Sequence, residues 1–263
     1  MYKRQEHKYA HALQYVACYG TEATLNLWKS YVEWSNEFSL VQLWLSRGSP
    51  IGNLRQTVEV GQQVYKDLYG DWQPHLFVFY TTNNYTLLGD NLGGYNQNVA
   101  GWKQVATTIA PGVSYTTTSQ YGGQQYENAI KVQLSAGNWW VSINGVWMGY
   151  YPTTLFNATG LLNQSDMSDW GGEIVDANSV PGTTATQMGS GRWPSEGWQW
   201  AGYVRNLMYQ SDPAGGMTRF QGFTHLTHPG CYGIAEDFTS NDSWQSYFWY
   251  GGPGKSPLNP TCP

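Results

Sequence analysis

The stretch Asn138–Tyr151 reads NWWVSINGVWMGYY, and its pattern decides the fold. Two aromatic-rich apolar runs flank Asn144-Gly145. A two-residue type I′ turn requires φ > 0 at both central positions, which Asn and Gly tolerate best, so the spacing predicts a tight β-hairpin. Outward from it, short apolar or alternating runs recur between Gly, Pro, Asn and Ser. Ala23–Trp28, Thr57–Tyr65 (through Val58, Val60 and Val64) and Glu127–Leu134 alternate. Ser39–Ser46 (SLVQLWLS) and His75–Tyr80 (HLFVFY) are more continuously apolar and read as buried strands. Further strands are expected at Trp170–Val175, Trp200–Tyr209 and Ser243–Tyr250. Only Pro152–Leu162 has a helical look, as one short turn after the hairpin. Leu87–Gly101 reads as a Gly/Asn loop, and Gly251-Gly252-Pro253-Gly254 opens a loop-rich tail.

Strands at this spacing, with no helices between them, predict an all-β fold, an antiparallel β-sandwich of two packed sheets. Composition agrees. Charged residues make up 12% against a globular average of about 25%, while aromatics reach 16% and Gly numbers 31. Few charges with many aromatics and turn glycines suit strands, not charged amphipathic helices. No linker divides the chain, and no period of about 20–50 residues marks a repeat array. Residues 1–263 therefore read as a single domain, long enough to bury a sizeable core.

Several classes of function are excluded. Net charge is −5 and the 13 Lys and Arg are dispersed, so no basic run would neutralise nucleic-acid phosphates. Nothing approaches the ~18 consecutive apolar residues of a membrane helix. Met1–Gly20 lacks a continuous apolar segment and is not a signal peptide, so a secreted form would be a processed one. Asn84, Asn157, Asn163 and Asn241 begin N-x-[S/T] triplets that would matter only in a eukaryotic secretory pathway. Of the three Cys, Cys231 and Cys262 fall in the loop-rich C-terminal region, where a disulfide would tie down the tail; Cys18 is expected as a lone buried thiol. No Cys or His cluster has metal-ligand spacing, and no metal or other cofactor is expected.

Nucleophile motifs are also missing: there is no Gly-x-Ser-x-Gly elbow, His-Glu-x-x-His or phosphate-binding loop. Ser190, between Gly189 and Gly191, reads as a tight turn, and the histidines, His225 and His228 included, read as surface or structural residues. Carboxylates are left. In a chain this poor in charge, an acid inside an apolar strand is the informative exception. Glu59 interrupts Val58 and Val60, and by alternation shares a strand face with Thr57, Gly61, Gln63 and Tyr65. Glu173 follows Trp170-Gly171-Gly172, where paired glycines would clear space for a substrate chain. From periodicity alone, solvent-facing strand positions account for both acids better.

The order of several segments shifts that balance. His7-Lys8-Tyr9-Ala10, Tyr19–Trp28, Glu37–Leu40 with Gln42-Leu43-Trp44, Val58-Glu59-Val60-Gly61, Gly137-Asn138-Trp139-Trp140, Gly149-Tyr150-Tyr151-Pro152 and Trp170-Gly171-Gly172-Glu173 resemble successive segments of the neprosin family. Thr186–Gly191, Tyr203-Val204-Arg205-Asn206, Cys231-Tyr232 and Tyr247–Gly254 extend the resemblance over nearly the whole chain. It implies one neprosin-like catalytic domain, a glutamic endopeptidase cutting on the carboxyl side of proline at acid pH. Glu59 and Glu173 would be its catalytic pair, working through an activated water without a cofactor. Gln63 and Tyr65, on the face of Glu59, are candidates to orient water or substrate, and Trp170 is a candidate to stack on a proline ring, although packing is the commoner role for most Trp of this chain. Proline-containing peptides or proteins would be the partners of a secreted monomer whose signal and any activation segment are absent from this chain. Two positions depart from the family pattern. Gln62 stands where a Trp is usual, which puts pocket shape in question, and Leu87–Gly101 lacks the close Cys pair of plant members. The alternatives are a non-catalytic carbohydrate-binding β-sandwich, which would use exposed aromatics, and a glycosidase, which would use the same two acids.

Overall fold

Asn144 and Gly145 take φ of 50° and 82°, as the type I′ turn demands, and the hairpin forms around them. The structure, a computed structural model, describes residues 5–177, 184–257 and 259–262. Its strands in chain order are β1 (Glu6–Cys18), β2 (Gly20–Asn26), β3 (Ser39–Arg47), β4 (Gln56–Val64), β5 (Pro74–Thr81), β6 (Gly93–Tyr95), β7 (Lys103–Gln104) and β8 (Glu127–Ser135). They continue with β9 (Asn138–Ile143), β10 (Val146–Pro152), β11 (Ser165–Asp176), β12 (Gly202–Gln210), β13 (Thr218–Arg219), β14 (Phe223–Leu226), β15 (Gly233–Asp237) and β16 (Tyr247–Gly251). A seven-stranded sheet has the order β14-β1-β11-β3-β4-β5-β6. A nine-stranded sheet has the order β15-β16-β12-β2-β8-β9-β10-β7, with β13 beside β12. Pairings are antiparallel in both sheets, and the expected sandwich is what forms.

The core lies between the sheets. Leu43, Leu45, Val58, Val60, Trp170 and Ile174 of the first meet Leu25, Ile130, Val132, Val141, Val204 and Phe248 of the second. Each such side chain gains about 1.5–3 kcal/mol on leaving water, so the apolar rows pin the register. A one-residue slip would turn every row outward. The same parity sends Glu59 on β4, and Asp169, Gly171 and Glu173 on β11, to the opposite face of the seven-stranded sheet.

Three elements differ from the sequence reading. Alternation gives no strand at Glu6–Cys18, because the inner face opens with Glu6 and Lys8 before the small Ala10 and Ala12; Lys8 is fully buried, its ammonium on Asp176 at 3.0 Å. The loop at Leu87–Gly101 contains the short β6. Ser243–Ser246 stays outside β16, which begins at Tyr247. A 3₁₀ turn at Thr153–Leu155 follows the hairpin. Cys231 and Cys262 form the disulfide, and Cys18 is free and buried. Among the described residues no helix is long and apolar enough to cross a membrane.

Candidate active site

The outward face of the seven-stranded sheet is the floor of a cleft of about 790 Å³. β1 supplies His7, Tyr9 and His11, β11 supplies Asp169 and Glu173, β3 supplies Gln42 and Trp44, and β4 supplies Thr57 and Glu59. Phe79, Tyr85 and Tyr95 wall the side beyond β4. Register fixes how the two glutamates meet. Glu173 pairs with Leu40 and Glu59 with Trp44, so Gln42 lies between them on the intervening strand and on the same face.

The Gln42 amide reaches both carboxyls. With its nitrogen toward Glu59 Oε2 at 3.2 Å, its oxygen accepts from Trp44 Nε1 at 2.8 Å. Turned over, the nitrogen reaches Glu173 Oε2 at 3.3 Å. The first orientation is the better one, because the second points the Trp44 N–H at an amide NH₂. In either case one amide spans the gap, which keeps the carboxyls within the ~10 Å that a single water can serve.

Glu59 and Glu173 are both buried, at 6% and 5% exposure. Thr57 Oγ1 and Tyr85 OH donate to Glu59 Oε1 at 2.6 and 2.7 Å. Burial outweighs these bonds, and with the nearby charge of Glu173 it pushes the Glu59 carboxyl up to about 7. Glu173 Oε1 is bonded to Nδ1 of His7, whose side chain is 42% exposed. Burial pulls the His7 imidazole down, but the bond to Glu173 and the charges of both glutamates outweigh it, and the net direction is up. Burial, with the charge of Glu59, pushes the Tyr85 phenol well above its ordinary range, so it remains a donor.

A second carboxylate–imidazole pair lies further along the same strands. Both Asp169 oxygens sit on His11 Nδ1, at 2.7 and 2.8 Å. Among the described residues no group of three His, Cys, Asp or Glu has the arrangement to hold a metal.

Of the residues singled out by sequence, Glu59, Glu173 and Tyr65 line the cleft. Gln63 does not: it is buried, and its amide donates to Tyr69 OH at 3.0 Å. Trp170 does not either, because strand parity turns it into the core, fully buried against Phe220. The paired glycines also need a different account. A Cβ on Gly172 would sit 2.6 Å from the Tyr250 ring inside the core, and one on Gly171 would sit 2.4 Å from His11 Cβ. Both make room for the protein's own side chains. Gln62 faces inward, donating to Asn26 O at 2.8 Å and accepting from Asn128 at 2.8 Å, so that departure from the family pattern bears on the core rather than the cleft.

Several cleft residues escaped the sequence reading. Gln42 carried a usable signal, since it interrupts an apolar strand as Glu59 does. Asp169 shares parity with Glu173. His7 and His11 are four apart on one strand face, yet that strand was itself masked by Lys8. Tyr85 comes from a loop with φ of 61° and has no periodic signal at all.

A Neprosin family model matches residues 35–253, a span that holds both glutamates but not β1. Among solved structures, a Scytalido-glutamic peptidase with a peptide-based transition-state analog is 7% identical, covers 95% of this chain and 100% of its own, and has a TM-score of 0.45. SCP-B, a member of the Eqolisin family of peptidases in complex with the tripeptide Ala-Ile-His, is 8% identical, with 95% and 98% coverage and a TM-score of 0.40. A Bacteroides ovatus mixed linkage glucan GH16 structure, in complex with a G4G4G3G product, is 8% identical, with 69% and 75% coverage and a TM-score of 0.36. Likenesses this distant do not choose between peptide and glycan chemistry; the family match does.

Proposed function

The chain belongs to the Neprosin family and is a glutamic-type peptidase, and on that premise we propose that Glu59 and Glu173 are its catalytic dyad, hydrolysing bonds on the carboxyl side of proline at acid pH. The whole chain then acts as one catalytic domain. The observation that carries this reading is the Gln42 amide lying between the two carboxyls, its nitrogen able to donate to Glu59 in one orientation and to Glu173 in the other. Two buried carboxyls this close cannot both ionise cheaply, so the pair holds one proton.

Burial raises the Glu59 carboxyl, and no imidazole is bonded to it as His7 is to Glu173, so Glu59 is given that proton. Glu173, bonded to the imidazole of His7, takes the role of base. With Gln42 turned toward Glu59, no amide N–H is spent on Glu173 Oε2, and the amide oxygen lies against it instead, which suits an atom that is to receive a proton. Glu173 takes a proton from water as the water oxygen bonds to the scissile carbonyl carbon, and Glu59 donates its proton to the carbonyl oxygen. Collapse then breaks the C–N bond. The proton on Glu173 goes to the leaving nitrogen, and the hydroxyl proton returns to Glu59. No covalent enzyme intermediate is needed. Tyr85 and Thr57 hold Glu59 in place through the step, and Tyr65 is a candidate substrate contact. The ring wall of Phe79, Tyr85 and Tyr95 offers apolar faces of the kind a proline ring packs against. The Cys231–Cys262 disulfide supports an oxidising, secreted setting.

The test is incubation with proline-containing peptides at acid pH, followed by mass spectrometry of the products. New C-terminal prolines are expected from the wild type, and none from Glu59→Gln or Glu173→Gln. Cleavage elsewhere would sink the specificity; near-normal cleavage by either variant would remove that residue from the dyad.

A further inference from the structure

Of the cleft's polar atoms, His11 Nε2 stands out: it is shut off from solvent and has no hydrogen-bond partner among the described residues. Native proteins rarely leave such an atom unpaired, and each instance needs a reason. The ring is anchored for a purpose other than burial. Its Nδ1 carries a proton held by both Asp169 oxygens at 2.7 and 2.8 Å. Tyr9, Trp44 and His225 pack around it at ring-centroid distances of 5.4, 5.9 and 5.2 Å. Opposite it in register lies Gly171, where any Cβ would come within 2.4 Å of His11 Cβ, so the glycine is what seats the imidazole. The result is a fixed ring lining the cleft with one nitrogen unspent.

We propose that His11 is a substrate-binding residue whose Nε2 binds a backbone carbonyl oxygen of the peptide lying in the cleft, the rings packed around it giving way as the peptide enters. The proposal rests on the peptidase reading above. His11 is two residues along β1 from Tyr9, the register partner of Glu173. That offset is ~7 Å at ~3.3 Å per residue, so the carbonyl belongs to a residue about two positions from the scissile bond. The ligand's chemistry follows from charge. The Asp169 carboxyl already answers Nδ1 with both oxygens, so a neutral carbonyl suits Nε2–H better than a second carboxylate does.

The groups facing His11 are Asp169 and Glu173 on β11, His225 on β14 and Tyr9 on its own strand; β3 contributes the untitrating Trp44 ring. Burial pulls the imidazole down, Asp169 and Glu173 pull it up more strongly, and the net direction is up. In acid, Nε2–H is a donor. Once the proton leaves, the nitrogen presents a lone pair to the carbonyl, and the contact turns repulsive.

The test uses two peptides sharing one proline site, one extending four residues on each side and one only a single residue. Binding is measured calorimetrically on the Glu59→Gln protein, which holds peptide uncut and removes the titration of Glu59. The long peptide is expected to bind at least ~10-fold more tightly at about pH 5, as a hydrogen bond from a charged donor warrants. His11→Asn, whose amide still serves Asp169 but lacks Nε2, should erase most of that advantage, as should raising the pH to about 8 without that substitution. An advantage that survives His11→Asn in a folded protein, or one that is constant with pH, overturns the proposal; so does absence of peptide binding. Wild-type cleavage is read in parallel. His11-dependent binding without cleavage would refute the dyad and leave this subsite standing, and cleavage with an intact length advantage in His11→Asn would do the reverse.

Discussion

Strands β1 and β11 carry the same diagonal pairing twice, His7 with Glu173 and His11 with Asp169. In each, the imidazole lies two register positions from its carboxylate, and the copies are four residues apart on both strands. Their surroundings separate them. Glu173 gives one oxygen to His7 and turns the other toward Gln42 and the second glutamate. Asp169 spends both oxygens on one ring nitrogen, and Trp44 stands between it and Glu59 in register. His7 is 42% exposed at the side chain against 12% for His11, so one imidazole sits at the cleft mouth and the other within its wall. A carboxylate becomes proton-transfer machinery when it has an unfilled lone pair and a second carboxyl beside it. Fully occupied, the same group positions its neighbour.

The difference should be largest in kcat. Glu173→Gln is expected to lose roughly 10³-fold, the scale of general acid–base catalysis, with the fold intact. Asp169→Asn should lose about 10-fold, chiefly through KM, because it loosens His11. Steady-state kinetics on one peptide compares them. An equal kcat loss in both would erase the distinction between the pairs.

A second effect is on stability against pH. The Glu59 carboxyl is raised by folding, so its contribution is fully present below its ordinary range near 4.5 and is lost as pH rises through about 7. The wild type should therefore lose up to about 3 kcal/mol across that window, and Glu59→Gln should not. Denaturant midpoints at several pH values check this; parallel curves for the two proteins would mean that Glu59 is not strained by burial. The His11–Asp169 pair also stabilises below the ordinary histidine range and fades as pH rises, and Asp169→Asn should remove that part alone.

The smallest effect belongs to His7→Gln. An exposed imidazole is screened by solvent, so a few-fold drop in kcat/KM is expected, with the pH profile displaced, since a Gln amide cannot carry the imidazole's charge. A drop as large as that of Glu173→Gln would make His7 part of the proton-transfer unit.

Much of this was legible in the sequence where side-chain parity is the controlling physics. β4 and β8 were readable because apolar residues alternate with polar ones, β3 and β5 because their apolar runs are continuous, and the β9–β10 hairpin from its Asn-Gly turn. Glu59 and Glu173 were visible as acids breaking apolar strands. What alternation cannot carry is which residue answers which across strands. Gln42, Asp169 and His11 acquire their roles only from register, and Tyr85 from a loop that folds over β4. Trp170 shows the converse. Its place three residues before Glu173, an odd separation on one strand, puts it on the opposite face, where it fills the core.

The central claim is that Glu59 and Glu173 act as one unit through a shared proton. Its most direct test is a double-replacement cycle, measuring kcat for wild type, Glu59→Gln, Glu173→Gln and the double variant on one proline peptide at acid pH. Members of a single catalytic unit are strongly non-additive, so the double variant should be little slower than either single one. Losses that multiply would show two independent contributions, and the shared-proton dyad would be wrong.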